Sequence, residues 1–241
     1  LEENGWLKGG AVMITVTIEG EKKQYPAGTP YEKIAEEYQE KYAGLIGLVA
    51  VDGKIKELFK TLKKDCEISF FTLKDDVGHK TYVRTATMLF LKAVSDVFGD
   101  AVAQLARVEF AVKNGTYISA GEELKATPEN AQKILNRMKE LQQEQIPFMK
   151  NSYYMDDAMT LFQEKGMKDK ERLFRYRRSS MVNLYEIDGY YDYYYGYMLP
   201  NAGYVKWFDV ISYDEGFMLL LPDKKEPTVV KAFDEQKKLF A

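Results

Sequence analysis

Histidine and cysteine are almost missing from this chain of 241 residues, which has one of each, His79 and Cys66. A lone cysteine excludes an intramolecular disulfide, and with it the disulfide-stapled secreted class. So few imidazoles and thiols also exclude the usual zinc frameworks, which need several such ligands. A Ser-His-Asp or Cys-His pair could recruit only His79. Long hydrophobic runs are absent too. The longest uncharged apolar stretch, residues 44–51, has eight residues, far short of the ~20 that span a bilayer. Residues 1–12 are acidic at Glu2 and Glu3 and lack the basic-then-apolar order of a signal peptide. They carry no pattern and are left unassigned or ascribed to cloning. A soluble cytoplasmic protein with no membrane partner is the expectation.

What is present is ordinary in bulk and odd in kind. Hydrophobic residues make up 46%, charged residues 29%, and the net charge is −3. That suffices for a sizeable core and fits two domains. Tyrosine is in excess, 18 against 13 Phe and 2 Trp.

Residues 13–19 alternate Val and Ile with Thr as a strand does, and Gly20-Glu21 turns the chain into a second strand ending near Tyr25. Thr29, Pro30 and Glu32 read as N-cap, first helical position and capping box. Tyr31, Ile34, Ala35, Tyr38 and Tyr42 then recur at helical spacing. Strands at 47–51 and 67–72 follow, the first closed by the tight turn Asp52-Gly53. This strand–strand–helix–strand–strand order is that of a ubiquitin-like β-grasp. Past a charged junction at 74–78, a long helix is predicted from about His79 to Phe98, its buried stripe Tyr82, Ala86, Leu89, Ala93 and Val97. Hairpins are predicted around Asn114-Gly115 and Asp188-Gly189. Further helices are predicted at 128–141, 156–165 and 228–240, with strands at 147–153, 208–213 and 218–221.

The stretch from Gly47 to Gly53-Lys54 looks superficially like a phosphate-binding loop. That motif needs glycines five apart, then Lys and a hydroxyl residue. Here they are six apart, Ile55 stands in the hydroxyl position, and the stretch reads as a strand and its turn. His79 reads as an exposed histidine of a first helical turn. Cys66 lies between Asp65 and Glu67, neighbours that disfavour a thiolate. The run 165–178 holds seven basic residues, among them Arg175, Arg177 and Arg178, against Asp169 and Glu171. It reads as a solvated face, with phosphate or RNA contact as the sharper alternative. Eight tyrosines fall between Tyr185 and Tyr204. On a strand, Tyr191, Tyr193, Tyr195 and Tyr197 would share one side, with Tyr190, Asp192 and Tyr194 on the other. They suit half-buried sheet surface, or stacking on a base.

The element order, the Thr72-Leu73-Lys74-Asp75 junction, the long helix, the Asn114-Gly115 hairpin and the segment Asp192-Tyr-Tyr-Tyr-Gly196-Tyr-Met198-Leu-Pro200-Asn201 carry a specific resemblance. Residues 13–74 resemble a TGS domain. Residues 75–241 resemble the second additional domain of threonyl-tRNA synthetases, an editing domain. An α+β fold is implied: a β-grasp followed by a larger α+β domain. In that family a metal site uses His-x-x-x-His on the long helix, with Cys and His in Asp-x-Cys-x-Gly-x-His-x-Pro-Asn. Those four positions fall on Arg84, Met88, Tyr194 and Met198, while Asp192, Gly196, Pro200 and Asn201 keep their places. Guanidinium, thioether and phenol do not replace imidazole and thiolate around zinc. The resemblance thus implies an editing scaffold without metal, cofactor or catalytic residues. Arg84, Met88, Tyr194 and Met198 would line a cleft that either seats an anionic or base-containing ligand or simply packs.

The same pair of domains resembles the N-terminal region of bacterial uridine kinase-like nucleoside kinases. On that resemblance a C-terminal kinase domain is the partner, and ATP and Mg²⁺ belong to it alone. This chain is then a regulatory, ligand- or RNA-binding region. An RNA-binding or trans-editing module acting on tRNA is the competing expectation.

Overall fold

Ile14, Val16 and Ile18 point to one side of β1 (Met13–Ile18) and are buried, while Thr15 and Thr17 face outward. A two-residue turn with both φ angles positive, Glu19-Gly20, leads antiparallel into β2 (Glu21–Pro26). This is the computed structural model of the chain, and it describes residues 12–112 and 114–233. Helix α1 (Tyr31–Tyr38) lays Tyr31, Ile34, Ala35 and Tyr38 on the sheet. Strands β3 (Ile46–Val51) and β4 (Lys54–Glu57) form a hairpin, and β5 (Cys66–Thr72) runs parallel to β1. The order β2-β1-β5-β3-β4 completes the expected arrangement. Every residue of β3 is buried, because α1 covers one face of the sheet and the following helix covers the other. That double burial is why its sequence is a continuous apolar run rather than an alternation.

The expected capping box does not form. Thr29 turns its hydroxyl back to donate to the Pro26 carbonyl, and the Glu32 amide is taken by Leu58 O. The Glu32 side chain is left free to reach elsewhere.

Helix α2 (Asp76–Phe98) begins only three residues after β5 and is the centre of the molecule. Tyr82, Ala86, Leu89 and Ala93 are buried as expected, whereas Val97 is exposed. From Thr85 to Ser95 every residue is buried, so the helix is enclosed rather than one-sided. Gly99, with φ 96°, breaks it before α3 (Asp100–Leu105). A four-stranded sheet of order β11-β12-β7-β6 is built from β6 (Arg107–Val112), β7 (Gly115–Ser119), β11 (Asp209–Tyr213) and β12 (Gly216–Leu220). Helix α4 (Pro128–Gln143) starts at Thr127, whose hydroxyl accepts from the Asn130 amide. It packs Ala131, Ile134, Leu135, Met138 and Leu141 into the core shared with α2.

A third sheet, β10-β9-β8, is made by β8 (Met149–Tyr154), β9 (Met181–Ile187) and β10 (Tyr190–Asp192). Val182 and Leu184 of β9 meet α5 (Met155–Glu164) and α6 (Lys168–Phe174), while Tyr185 and Ile187 join the α2 core. The fold is α+β, as expected. The helix expected at 228–240 is absent over its described part, 228–233, and the remainder lies outside the described residues. There Asn114 Nδ2 donates to the carbonyls of Lys231 and Ala232, and Phe233 packs on Tyr213, so the backbone is drawn out rather than coiled. Among the described residues no helix is long and apolar enough to cross a membrane.

Candidate functional site

The strand β10 ends at Asp192, and residues 193–201 form a loop laid across α2. The expected two-sided tyrosine strand therefore stops after three residues. Tyr193 bends away because its amide donates to its neighbour's carboxylate, Asp192 Oδ1, at 2.7 Å. Tyr195 ends up 91% exposed, whereas Tyr194 turns inward and buries its hydroxyl.

Arg84 and Met88 lie one turn apart on α2. Arg84 is half-buried, and its Nη1 donates to Tyr197 O at 2.6 Å. Its guanidinium lies flat on Gly196: a Cβ there would sit 2.6 Å from the guanidinium carbon. Gly196 also has φ 133°, so only glycine fits on both counts. Burial pulls the Arg84 pKa below the ordinary arginine value, and the neighbouring Tyr185 and Tyr194 only partly offset this. Met88 and Met198 are fully buried in the core around α2. Thr85 stands between the two elements: its hydroxyl donates to Thr81 O, accepts from the Leu199 amide at 3.0 Å, and lies 3.5 Å from Met198 Sδ.

Beside these positions runs a groove of about 1200 Å³ between α3 and β6 on one side and α6 on the other. Lys165, Lys168, Arg172 and Arg107 contribute cations to its walls, Glu109, Glu123, Glu164 and Asp169 contribute anions, and Tyr193 and Tyr194 line it as well. Within it Lys170 Nζ meets Asp192 Oδ1 at 2.9 Å. Asp192 is buried, and burial raises its carboxyl pKa against the pull of Lys170. Burial also opposes the charge on Lys170, but the Asp192 and Asp169 carboxylates outweigh it and its pKa is raised. The Tyr194 hydroxyl is buried beside Asp192 without meeting it in hydrogen-bonding geometry.

Sequence reasoning missed Lys170, which it placed on a solvated face with the rest of 165–178. The available signal was Phe174, four residues on and fully buried, since residues four apart share a helix face. Apart from Lys165, half-buried with its Nζ over the Tyr191 ring, the other cations of the run do face solvent. Arg177 is exposed yet ordered, donating to the Tyr193 hydroxyl at 3.0 Å with its guanidinium over the Phe174 and Tyr193 rings. Arg175 pairs with Glu171, and Arg178 is exposed.

His79 is half-buried rather than exposed, and burial lowers its pKa, with Asp223 and Asp76 pulling the other way. It sits where residues 223–224 cross the start of α2. Burial pushes the Cys66 thiol pKa up, with Asp52 adding to the effect. Gly53 lies in the hairpin turn between β3 and β4, and Gly47 is buried in β3. Among the described residues no group of three or more His, Cys, Asp or Glu is placed to hold a metal ion.

No protein-family model matches the chain. Curated relatives do match. The threonine–tRNA ligase of Symbiobacterium thermophilum is 25% identical over 202 residues, which cover 83% of this chain and 31% of the ligase. The ligase of Maricaulis maris is 26% identical over 193 residues, 79% of this chain and 30% of the ligase. That of Thermotoga maritima is 28% identical over 195 residues, 80% and 30%. The chain thus spans under a third of the length of these relatives, and most of it is similar to one region of threonine–tRNA ligases.

Proposed function

We propose that this chain is a non-catalytic tRNA-binding module related to threonyl-tRNA synthetases, and that its groove takes the single-stranded acceptor end of the RNA. The observation that carries the reading is the groove of about 1200 Å³ that brings Lys165, Lys168 and Arg172, interspersed with Glu109, Glu123 and Glu164, together with Tyr193 and Tyr194. Exposed Lys168 and Arg172 supply charge for phosphates, and tyrosine rings supply apolar surface for a base. Arg177 on the Tyr193 ring extends the positive surface outward toward Arg175 and Arg178.

The positions that the resemblance assigns to a metal carry one guanidinium, one phenol and two buried thioethers. These side chains do not fit a zinc ion: the guanidinium repels it, and it is already committed to Tyr197 O. No metal-dependent step is assigned to the chain. The nucleoside kinase parent finds no support in the ligase relatives, and the tRNA reading takes precedence over it.

Filter binding of the full chain to intact tRNA, and to tRNA trimmed of its single-stranded 3′ end, tests the proposal. Intact tRNA is expected to bind with a log–log salt slope of about −2 to −3.5, as three to five neutralised phosphates of a single strand produce. Trimmed tRNA is expected to bind about tenfold more weakly, the loss of one or two stacked bases. Equal binding of the two sinks the reading. Mischarged tRNA is expected to stay charged; deacylation accompanied by stoichiometric bound zinc would put the trans-editing reading in its place.

A further inference from the structure

Three residues of the N-terminal sheet and its helix converge on one short loop, residues 196–201. Gly47 sits where β3 slips register against β5, between Ile46 and Leu48. A Cβ on it would lie 2.9 Å from Cδ2 of Leu199, so the loop's leucine is seated directly on that strand. Glu57 of β4 is 3% exposed and accepts from Lys150 Nζ at 2.8 Å and from the Tyr185 hydroxyl at 2.7 Å. The same hydroxyl lies 2.6 Å from Gly196 O, so its single proton is shared between the buried carboxylate and the loop. Glu32 of α1, unused by any cap, accepts from Asn201 Nδ2 at 3.0 Å. From the opposite side α2 holds the loop through Arg84 on Tyr197 O and Thr85 on the Leu199 amide.

We infer that the N-terminal sheet positions this loop, with Glu57, Gly47 and Glu32 as positioning residues that act through it on Tyr194 and the groove wall. Simple docking of two bodies would be served by apolar contact alone. Burying a carboxylate is costly unless its partners are specific. Here buried Glu57 reaches one end of the segment, Gly196, through the Tyr185 hydroxyl, and half-buried Glu32 meets the other, Asn201. The residues just before that segment, Asp192 to Tyr194, line the groove. What happens at the seam therefore sets the shape of the groove wall at Asp192, Tyr193 and Tyr194, whatever ligand the groove takes.

Hydrogen exchange on the full chain tests this. Tyr185→Phe deletes the donor to Gly196 O and is expected to speed exchange in peptides covering 194–199 by about tenfold, the scale of one hydrogen bond at a buried site. Glu57→Leu releases the hydroxyl proton to Gly196 O alone and is expected to slow that exchange, an effect that should vanish in the Tyr185→Phe background, because both act through one hydroxyl. Glu57→Gln keeps an acceptor for Tyr185 and is expected to leave loop exchange close to that of the unaltered chain. Gly47→Val should displace Leu199 and speed exchange of its amide with every hydrogen-bonding side chain intact. Unchanged loop exchange in Glu57→Leu would overturn the inference. So would additive effects of the two single variants, or β3 amides accelerating by the same factor as the loop.

Discussion

Two buried carboxylates, each paired with a partly exposed lysine, sit on either side of the 193–201 loop, and they differ in what surrounds them. Glu57 has every neighbour matched: it meets both Lys150 and the Tyr185 hydroxyl, and Lys150, which lines a smaller pocket of about 570 Å³, holds its Nζ 5.0 Å from the Tyr185 ring centroid. Lys170 and Asp192 face the large groove, with a buried tyrosine hydroxyl nearby that makes no hydrogen bond. A buried ion pair with every neighbour matched fixes geometry. One with polar capacity left over, within a cleft, marks where a ligand would be recognised.

The sharpest way to break that comparison is to remove each lysine in turn. Lys170→Met leaves Asp192 charged and buried, and urea unfolding is expected to show a loss of about 3–5 kcal/mol. Lys150→Met leaves Glu57 with the Tyr185 hydroxyl as donor and should cost less, about 1–3 kcal/mol. Equal losses would erase the distinction. Next come the tyrosines, whose hydroxyl removals should differ in sign. Tyr185→Phe is expected to cost about 1–2 kcal/mol, while Tyr194→Phe, which deletes an unsatisfied buried group, should raise the melting temperature. A lowered melting temperature for Tyr194→Phe would show that its hydroxyl already has a partner.

A smaller effect concerns His79, a half-buried ionisable group whose carboxylate neighbours do not win. Its folded pKa lies below the ordinary 6.5, so the unfolded chain binds more protons between the two values. Stability should therefore rise with pH up to about 6.5 and be lost as pH falls through the lowered value. His79→Phe is expected to flatten that slope in denaturant titrations at pH 5 and pH 7. The smallest effect is at the rim: Arg178→Ala should leave unfolding within about 0.5 kcal/mol of wild type. In RNA binding it should reduce the magnitude of the salt slope by about one.

The N-terminal sheet was largely readable because its chemistry is local. Alternation in β1, the Asp52-Gly53 turn and the Tyr31–Ile34–Tyr38 spacing each carry their own signal. The capping box misled because Glu32 is claimed by Asn201, 169 residues away, a partner no local pattern announces. Lys170 was hidden for the same reason: within its helix it looks like its neighbours, and only the arrival of Asp192 gives it a buried partner. The tyrosine run reads as a strand by composition, yet the Asp192 side chain turns the backbone after three residues. The resemblance names Arg84, Met88, Tyr194 and Met198 by their places in the sequence alone. That Arg84 packs flat on Gly196, and that both methionines are fully buried, follows only from the tertiary fold.

Between β5 and α2 there is almost no chain to spare. Gly78 is pressed against the Thr72 backbone so closely that a Cβ on it would fall 2.0 Å from the carbonyl oxygen. Asp75 Oδ2 accepts from both the Thr72 amide and its hydroxyl across the same turn. A junction this tight cannot act as a hinge, and the helix it leads into is enclosed by elements from both ends of the chain. Heat should therefore melt the molecule in one cooperative transition rather than two. Gly78→Ala, which forces the junction apart, should be the substitution that splits it.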